Sequence, residues 1–584
     1  MVRVAFAFGF ICILLPLLRA YALNIQSFQI DFSSFFFVAL AISAGSAGLL
    51  WIFMRVAKER FRAFAILAAL FSILLVWFFL NFKPGGIGFL DGREIHFEDI
   101  KWDLVFETWI VLALAMTLFA FRNHALAYAG TLSVAACMWS FAAVIPTFWV
   151  LANAANDDEV TYPRYLNNQD SHLYSFSRTN NIILFVLDTF QTDAAKKVLV
   201  NDPELAHRFR DFTFFQNTVA TFSKTYMSVP AMLTGKSYDN GVTVQDFLHS
   251  AYFQSESLPL RLQSEGYDTR AYAYASSPQI KSPLLWDNLL RVGTLGYGSA
   301  EEFTRIARVA LISIAPTFFK VLLANDILFH HVLSRIAYSG LAGQETTCDS
   351  SLSEFETKND VKVTITGDAI MFGKLINCSS VEIERPVFRL FHMQGAHEPF
   401  YISKAETTPL QDQVDDAYAI QVEGSLSIMA AVLDRLRRID VYSNATILIA
   451  SDHGAHEYGE NYDREVFGLE DAEPERDVSD YVISASLATL MFKPSNSYQE
   501  KMPFSNAPLT LIDVAPTLIS AAELPTTRPT ITDFSEDSDR IRHHSFYKFK
   551  GWQIDYIEDL TRYSIQGPVW DPASWSKGQE LLPP

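Results

Sequence analysis

Ser451-Asp452-His453-Gly454 follows directly on the apolar run Asn444-Ala-Thr-Ile-Leu-Ile-Ala450. An Asp-His pair at the end of a buried strand offers a carboxylate oxygen and an imidazole nitrogen to one cavity, a metal-ligand combination. The glycine after them lets the chain turn so that both side chains reach it. The same pair also occurs as a hydrogen-bonded structural couple, so its partners elsewhere in the chain decide its meaning. The first partner is Asp188, at the end of Asn181-Ile-Ile-Leu-Phe-Val-Leu-Asp188-Thr189. An unbroken apolar run with β-branched and aromatic members reads as a fully buried parallel strand. Ligands of open α/β sheets gather at the carboxyl ends of strands, so Asp188 and the Asp452-His453 pair are expected at one sheet edge. The plainer role for Asp188 is to cap a helix over 189–200.

The second partner lies in Ser223-Lys224-Thr225-Tyr-Met-Ser-Val-Pro230-Ala-Met-Leu-Thr234-Gly235. This stretch resembles the sulfatase branch of the alkaline-phosphatase-like superfamily, in which a modified Cys or Ser nucleophile precedes a Thr-Gly pair. At the family's spacing Thr225 stands in the nucleophile position, ahead of Thr234-Gly235. Sulfatases then carry Pro two residues on and Arg four residues on; this chain has Met227 and Val229. That departure argues against formylglycine chemistry. The stretch is similar instead to the membrane-anchored phosphoethanolamine and phosphoglycerol transferases, whose nucleophile is a Thr shortly before Ser-Val-Pro. Three more stretches extend the likeness: 257–273, His392-Met-Gln-Gly-Ala-His397-Glu-Pro-Phe-Tyr401, and Thr510-Leu-Ile-Asp513-Val-Ala-Pro-Thr517. The likeness runs from about 180 to 524.

The resemblance implies an α/β fold: a five-helix transmembrane domain at 1–151, a linker at 152–178, and a sulfatase-like α/β/α domain with a mostly parallel central sheet at 179–530. A C-terminal segment, 531–584, is expected to pack on that domain. The resemblance also implies one divalent metal ion held by Asp188, Thr225, Asp452 and His453. Three oxygen ligands and one nitrogen suit Zn²⁺, while Mn²⁺, Mg²⁺ or Ca²⁺ also take largely oxygen sets. A Thr hydroxyl is a poor nucleophile unless a base or metal activates it, and a metal also stabilises charge on a phosphoryl oxygen. Lys224, His392, His397 and His456 are the candidate substrate contacts, with His392 and His397 following a strand at 386–391 and able to protonate a leaving alkoxide. Each of these side chains alone is more commonly an ordinary loop residue. The family's transferases often carry a further histidine after the Asp-His motif; here that region reads Tyr462-Asp-Arg-Glu-Val-Phe-Gly468, with none. Sulfatases pair two Asp after the first strand, and here the second position is Thr189.

The elements that must carry these residues emerge from composition. The chain has 584 residues, half of them hydrophobic, and a formal net charge of −19. Its first 151 residues are slightly basic and the remainder strongly acidic, which excludes a basic nucleic-acid face. Apolar stretches at 4–23, 34–54, 63–82, 104–121 and 125–151 are each long enough for a hydrocarbon core of roughly 30 Å. Arg55, Lys58, Arg60 and Arg62, and then Arg122, mark two inner loops by the positive-inside rule, leaving everything after 151 outside the cytoplasm. The first stretch reads as a retained anchor rather than a cleaved signal peptide. The run at 309–319 is too short to span, so 301–340 is expected to form helices, buried or lying on the bilayer. Cys348 and Cys378 can close a disulfide loop in an oxidising compartment.

These readings converge on an inner-membrane, multi-pass transferase with a periplasmic catalytic domain. It would move phosphoethanolamine or phosphoglycerol from a membrane phospholipid to lipid A or an envelope glycan through a phospho-Thr225 intermediate. Two alternatives stay open on the sequence alone. One is a sulfatase-like hydrolase with water as acceptor; the other is a non-catalytic membrane protein that binds lipid or lipopolysaccharide and signals.

Overall fold

The computed structural model describes residues 1–23, 32–82, 101–156, 171–254, 257–273, 288–291, 299–316, 361–363, 367–397, 400, 402–404, 414–455, 462–469, 478–548 and 555–584. The chain forms two compact units. The first joins Met1–Arg164 to an excursion of the later chain, Gly296–Gln344; the second comprises Tyr165–Leu295 and Glu345–Pro584.

The first unit is helical. Three helices are long and apolar enough to cross a membrane: α1 (Val2–Ala22), α2 (Phe32–Val56) and α3 (Glu59–Phe82). Phe8–Leu14 of α1 is wound as a π-helix. The two remaining apolar stretches are also helical, as α4 (Lys101–Ala120) and α5 (Arg122–Asn156). They meet at a bend of 108°, so they qualify as a membrane crossing only as one broken pair. The described residues thus give three or four candidate spans where the sequence suggested five. The excursion contributes an insertion helix, Ser299–Ile314. It packs within this unit rather than in the α/β unit: Ile306 and Ala310 are buried with Leu14, Leu17, Tyr21 and Phe35. The rest of the 301–340 region, from 317 on, lies outside the described residues.

The second unit is built on an eight-stranded sheet. In chain order its strands are β1 (Asn181–Leu187), β2 (Thr213–Phe215), β3 (Asp268–Ala273), β4 (Asn288–Arg291), β5 (Val387–Met393), β6 (Ala445–Ser451), β7 (Leu490–Lys493) and β8 (Phe504–Ser505). They lie in the order β8-β2-β7-β6-β1-β5-β3-β4. All pair in parallel except β7, which runs against both β6 and β2. The apolar runs read from the sequence are the central strands β1, β5 and β6, buried at every residue. Alternation distributes their side chains over both faces. Ile183, Phe185 and Leu187 join one core with Leu426, Met429 and Leu433 of α8 (below). Ile182, Leu184 and Val186 join another with Met227, Val229, Val514 and Leu518. The helices that close the layers include α6 (Thr192–Asn201), α7 (Thr225–Thr234), α8 (Val414–Arg438) and α9 (Val514–Ala521). The result is an α/β/α sandwich around a mostly parallel sheet.

The C-terminal segment adds a three-stranded antiparallel sheet, β9 (Ile541–Phe546), β10 (Thr561–Gln566) and β11 (Trp575–Glu580). Cys378 ends a helix, Gly367–Cys378; Cys348 lies outside the described residues, so the disulfide expectation does too.

Candidate active site

Parallel pairing in register brings the two acidic motifs together. Leu187 of β1 faces Ser451 of β6 and Met393 of β5, so Asp188 and Asp452 leave neighbouring strands at the same edge. Asp188 does not cap the next helix, whose N-cap is Gln191. Its backbone is pinned from the β5 side, its N–H donating to Met393 O at 3.1 Å and its carbonyl accepting from Ala396 N at 2.9 Å. Thr189, at the second family Asp position, clasps both carboxylates. Its hydroxyl donates to Asp188 Oδ1 at 2.8 Å and its N–H to Asp452 Oδ1 at 3.1 Å. It does this from a left-handed conformation, φ 58°, a costly state for a β-branched residue.

Asp452 Oδ1 also accepts from its neighbour His453 N–H at 2.9 Å, and the Asp452 carbonyl accepts from Ser228 Oγ at 2.5 Å. His453 Nδ1 lies 2.9 Å from Gly454 O. A carbonyl only accepts, so Nδ1 carries the proton and Nε2 keeps its lone pair. That Nε2 lies 3.5 Å from Asp452 Oδ2 and 3.7 Å from Asp188 Oδ1. Thr225 completes the group as the first residue of α7, with Lys224 as N-cap. Its Oγ1 is 3.3 Å from His453 Nε2 and 3.4 Å from Asp188 Oδ2. The positive end of the helix dipole favours negative charge at that place.

His392 does not follow its strand, as the sequence suggested, but lies inside β5, opposite Val186 of β1. It is fully buried, and one of its ring nitrogens lies within 4.8 Å of carboxylate oxygens of Asp188 and Asp452. Burial, with smaller effects of His453 and His397, brings it down to about 4, outweighing the pull of Asp452. His397 is half-buried just beyond, its backbone held through both polar groups by Gln394. Lys224 is close enough that its charge lowers both His453 and Asp188, though burial acts more strongly on each. His456 lies outside the described residues.

Burial and then the charge of Asp452 push Asp188 well above the usual carboxylate range. Burial acts upward on Asp452 as well, but the imidazoles of His453 and His392 bring it below. Two adjacent carboxylates in a low-dielectric site need a cation between them if both are to be charged. The donor set fits one. Asp452 Oδ2 is buried without a hydrogen bond, His453 turns Nε2 toward Thr225 and both carboxylates, and Asp188, His392 and Asp452 could hold a metal ion. His392 thus stands with the metal-binding groups as well as with the substrate contacts expected of it.

The C-terminal sheet supplies a residue that the sequence motifs did not flag. Strand β9 runs beside the loop leading to Thr225: Ser223 N–H donates to Ser545 O at 3.2 Å and Ser545 N–H to Thr221 O at 2.9 Å. Fully buried His544 donates from Nδ1 to Ala220 O at 2.7 Å. Burial brings its imidazole down to about 4, so it is neutral. Nothing in Arg542-His543-His544-Ser545 marks it by spacing, because its partner lies over 300 residues upstream.

No family model matches the chain. No curated protein matches it either. Solved structures do. One is Ps i-CgsB in complex with k-i-k-neocarrahexaose, at 15% identity and TM-score 0.41, covering 68% of this chain and 85% of that one. Another is the lipoteichoic acid synthase LtaP of Listeria monocytogenes, at 13% identity and TM-score 0.37, covering 71% and 90%. A third is a protein in the alkaline phosphatase superfamily from Vibrio parahaemolyticus, at 13% identity and TM-score 0.35, covering 68% and 79%. These structural neighbours are members of the alkaline phosphatase superfamily.

Proposed function

We propose that the protein is a membrane-anchored, metal-dependent transferase that moves a phosphoethanolamine or phosphoglycerol head group from a phospholipid to lipid A or an envelope glycan. The α/β unit would lie on the periplasmic side of the inner membrane. The observation that carries the reading is the placement of Thr225 Oγ1 within 3.5 Å of both His453 Nε2 and the Asp188 carboxylate, beside an Asp452 oxygen that accepts no hydrogen bond. A hydroxyl held among metal-type ligands is what a covalent phosphoryl transfer requires.

Asp188, Asp452, His453 and Thr225 would hold a divalent ion, Zn²⁺ by the ligand types, with His392 as a further ligand. Bound there, the ion supplies charge stabilisation for an alkoxide and for phosphoryl oxygens. Thr225 Oγ1 attacks the phosphorus of the donor diester, its proton passing to the carboxylate of Asp188 that it faces. The Thr225 O–P bond forms and the P–O bond to diacylglycerol breaks. Half-buried His397, on the solvent side of His392, protonates the departing diacylglycerol oxygen. In the second half, the acceptor hydroxyl attacks the same phosphorus and gives its proton to His397, while the Thr225 O–P bond breaks and Thr225 Oγ1 takes back the proton held on Asp188. Lys224 neutralises phosphate charge, and the first turn of α7 adds its dipole.

The test is mass spectrometry of the Thr225-containing peptide after incubating the protein with phosphatidylethanolamine or phosphatidylglycerol. A head-group phosphoester on Thr225, and its loss on adding acceptor, is the expected result. Unmodified Thr225 together with undiminished transfer overturns it. Release of the head group to water alone identifies a hydrolase, and lipid binding with no turnover and no bound metal identifies a sensor.

A further inference from the structure

The insertion helix, Ser299–Ile314, leaves the sequence of the α/β unit and returns to the helical one. At one end of its main packing stripe the Phe303 ring lies 5.7 Å from that of Phe35, in the first turn of α2. Ile306 and Ala310, one and two turns on, are buried against Leu14, Leu17, Leu18 and Tyr21, in the last half of α1. At the other end Ile314 packs on a cluster containing Ile11, Leu70 and Ile73. Ile11 is at the middle of α1, and Leu70 and Ile73 are at the middle of α3. The helix therefore starts level with one end of the candidate spans and runs along the last half of α1 toward their interior.

Helical rise agrees with that depth. From Phe303 to Ile314 at 1.5 Å per residue is about 16 Å, roughly half of a ~30 Å hydrocarbon core. The stripe toward α1–α3 accounts for one face. Flanking that stripe, Leu311 is 41% exposed and Ser313 is also exposed, while Ile312 between them is buried. At this level the neighbouring surfaces of α2 are Phe37, Val38 and Leu40, all exposed, as lipid-facing positions of a span should be.

We propose that Ser299–Ile314 is a re-entrant membrane helix, entering the bilayer from the outer side to about its midplane, with the face carrying Leu311 against lipid acyl chains. The segment is too short to cross, which the sequence already indicated, and it need not cross to insert. Before its last turn its backbone polar groups are satisfied within the helix, as hydrocarbon demands, and Leu311 O accepts from Ala315 N–H at 2.9 Å. The α/β unit is then tied to the membrane through its interior as well as through the chain at Arg164. This inference is independent of the transferase reading, because it concerns depth and not turnover.

The experiment uses the full-length chain with Cys12, Cys137, Cys348 and Cys378 replaced by Ala, in phosphatidylethanolamine–phosphatidylglycerol proteoliposomes. A nitroxide is placed at Leu311→Cys, at Phe37→Cys as a lipid-facing reference and at Tyr498→Cys, 74% exposed on the α/β unit, as an aqueous one. Collision with oxygen relative to a water-soluble nickel chelate reports depth. Leu311→Cys is expected to match Phe37→Cys, with nickel accessibility several-fold below that of Tyr498→Cys. Nickel accessibility equal to Tyr498→Cys overturns the proposal. Ser313→Cys, a one-atom change at the other exposed position of the helix, gives the same reading should Leu311→Cys fold poorly.

Discussion

Gly395 lies against the backbone of Asp188: a Cβ placed on it would come within 2.6 Å of Asp188 N and 2.7 Å of Asp188 O, and its φ is +60°. Both the contact and the conformation call for glycine. The β5 loop thereby presses directly on the residue that the site most needs to orient. Gly395→Ala should displace Asp188, lower metal affinity at least tenfold, and destabilise the fold by more than about 2 kcal/mol. Metal titration and chemical denaturation of the same variant measure the two effects; an unchanged metal affinity would show that Asp188 does not bind the ion.

Thr225→Ala removes a hydroxyl and a methyl from the half-buried start of a helix and leaves the apolar face of α7 intact. Turnover should fall by at least about a thousandfold with stability changed by no more than about 1 kcal/mol. Thr225→Ser keeps the oxygen and should retain part of the rate. The readouts are head-group transfer and the thermal midpoint.

Removing the metal should expose the repulsion between the Asp188 and Asp452 carboxylates. Chelation should lower the melting temperature of the wild type. Asp188→Asn should melt higher than wild type when both are metal-free and lower when both are metal-loaded, because the amide relieves repulsion and weakens the ligand set. Calorimetry with and without chelator reads the crossover. The same order in both conditions would argue against a cation at this place.

His544 tests whether the C-terminal sheet positions the nucleophile loop. His544→Ala deletes the donor to Ala220 O, leaving a buried carbonyl unmet at a cost of about 1–3 kcal/mol, and should lower kcat more than it raises KM. Asn places an amide N–H close to where Nδ1 stands, so His544→Asn should restore most of kcat. Equal loss in both variants would reduce His544 to packing.

Asp268, buried at the start of β3, lies 2.6 Å from Arg270, 2.7 Å from Arg385 and 2.9 Å from Arg389. Burial pushes its carboxyl up, but the hydrogen bond from Arg270 and the charges of Arg389 and Arg270 outweigh it, bringing it to about 2. The unfolded value is about 3.9, so the folded state holds fewer protons in between. Its stabilising contribution is complete above about pH 4 and is lost as pH falls through about 2. Asp268→Asn should be less stable at neutral pH, leaving Arg389 buried without its carboxylate, and should show a shallower loss between those pH values. Denaturant midpoints across that range provide the measurement.

The sequence by itself determined the central strands and which residues stand at their ends. Uninterrupted apolar runs such as 182–187 and 447–450 favour burial on both faces, and a parallel sheet puts their polar ends at one edge. Asp188, Asp452 and His453 were legible for that reason, and Thr225 through the resemblance of its stretch to the family's nucleophile motif. Tertiary structure alone decided what depends on contacts between distant segments. It decided that Thr189, standing where a ligand was missing, clasps both aspartates through its left-handed backbone. It also placed His392 within its strand beside the carboxylates, and set the insertion helix among the apolar helices of the first unit. His544 is the clearest case: a histidine on a late strand has no local pattern that points to Ala220, because register between segments over 300 residues apart is fixed by packing and not by periodicity.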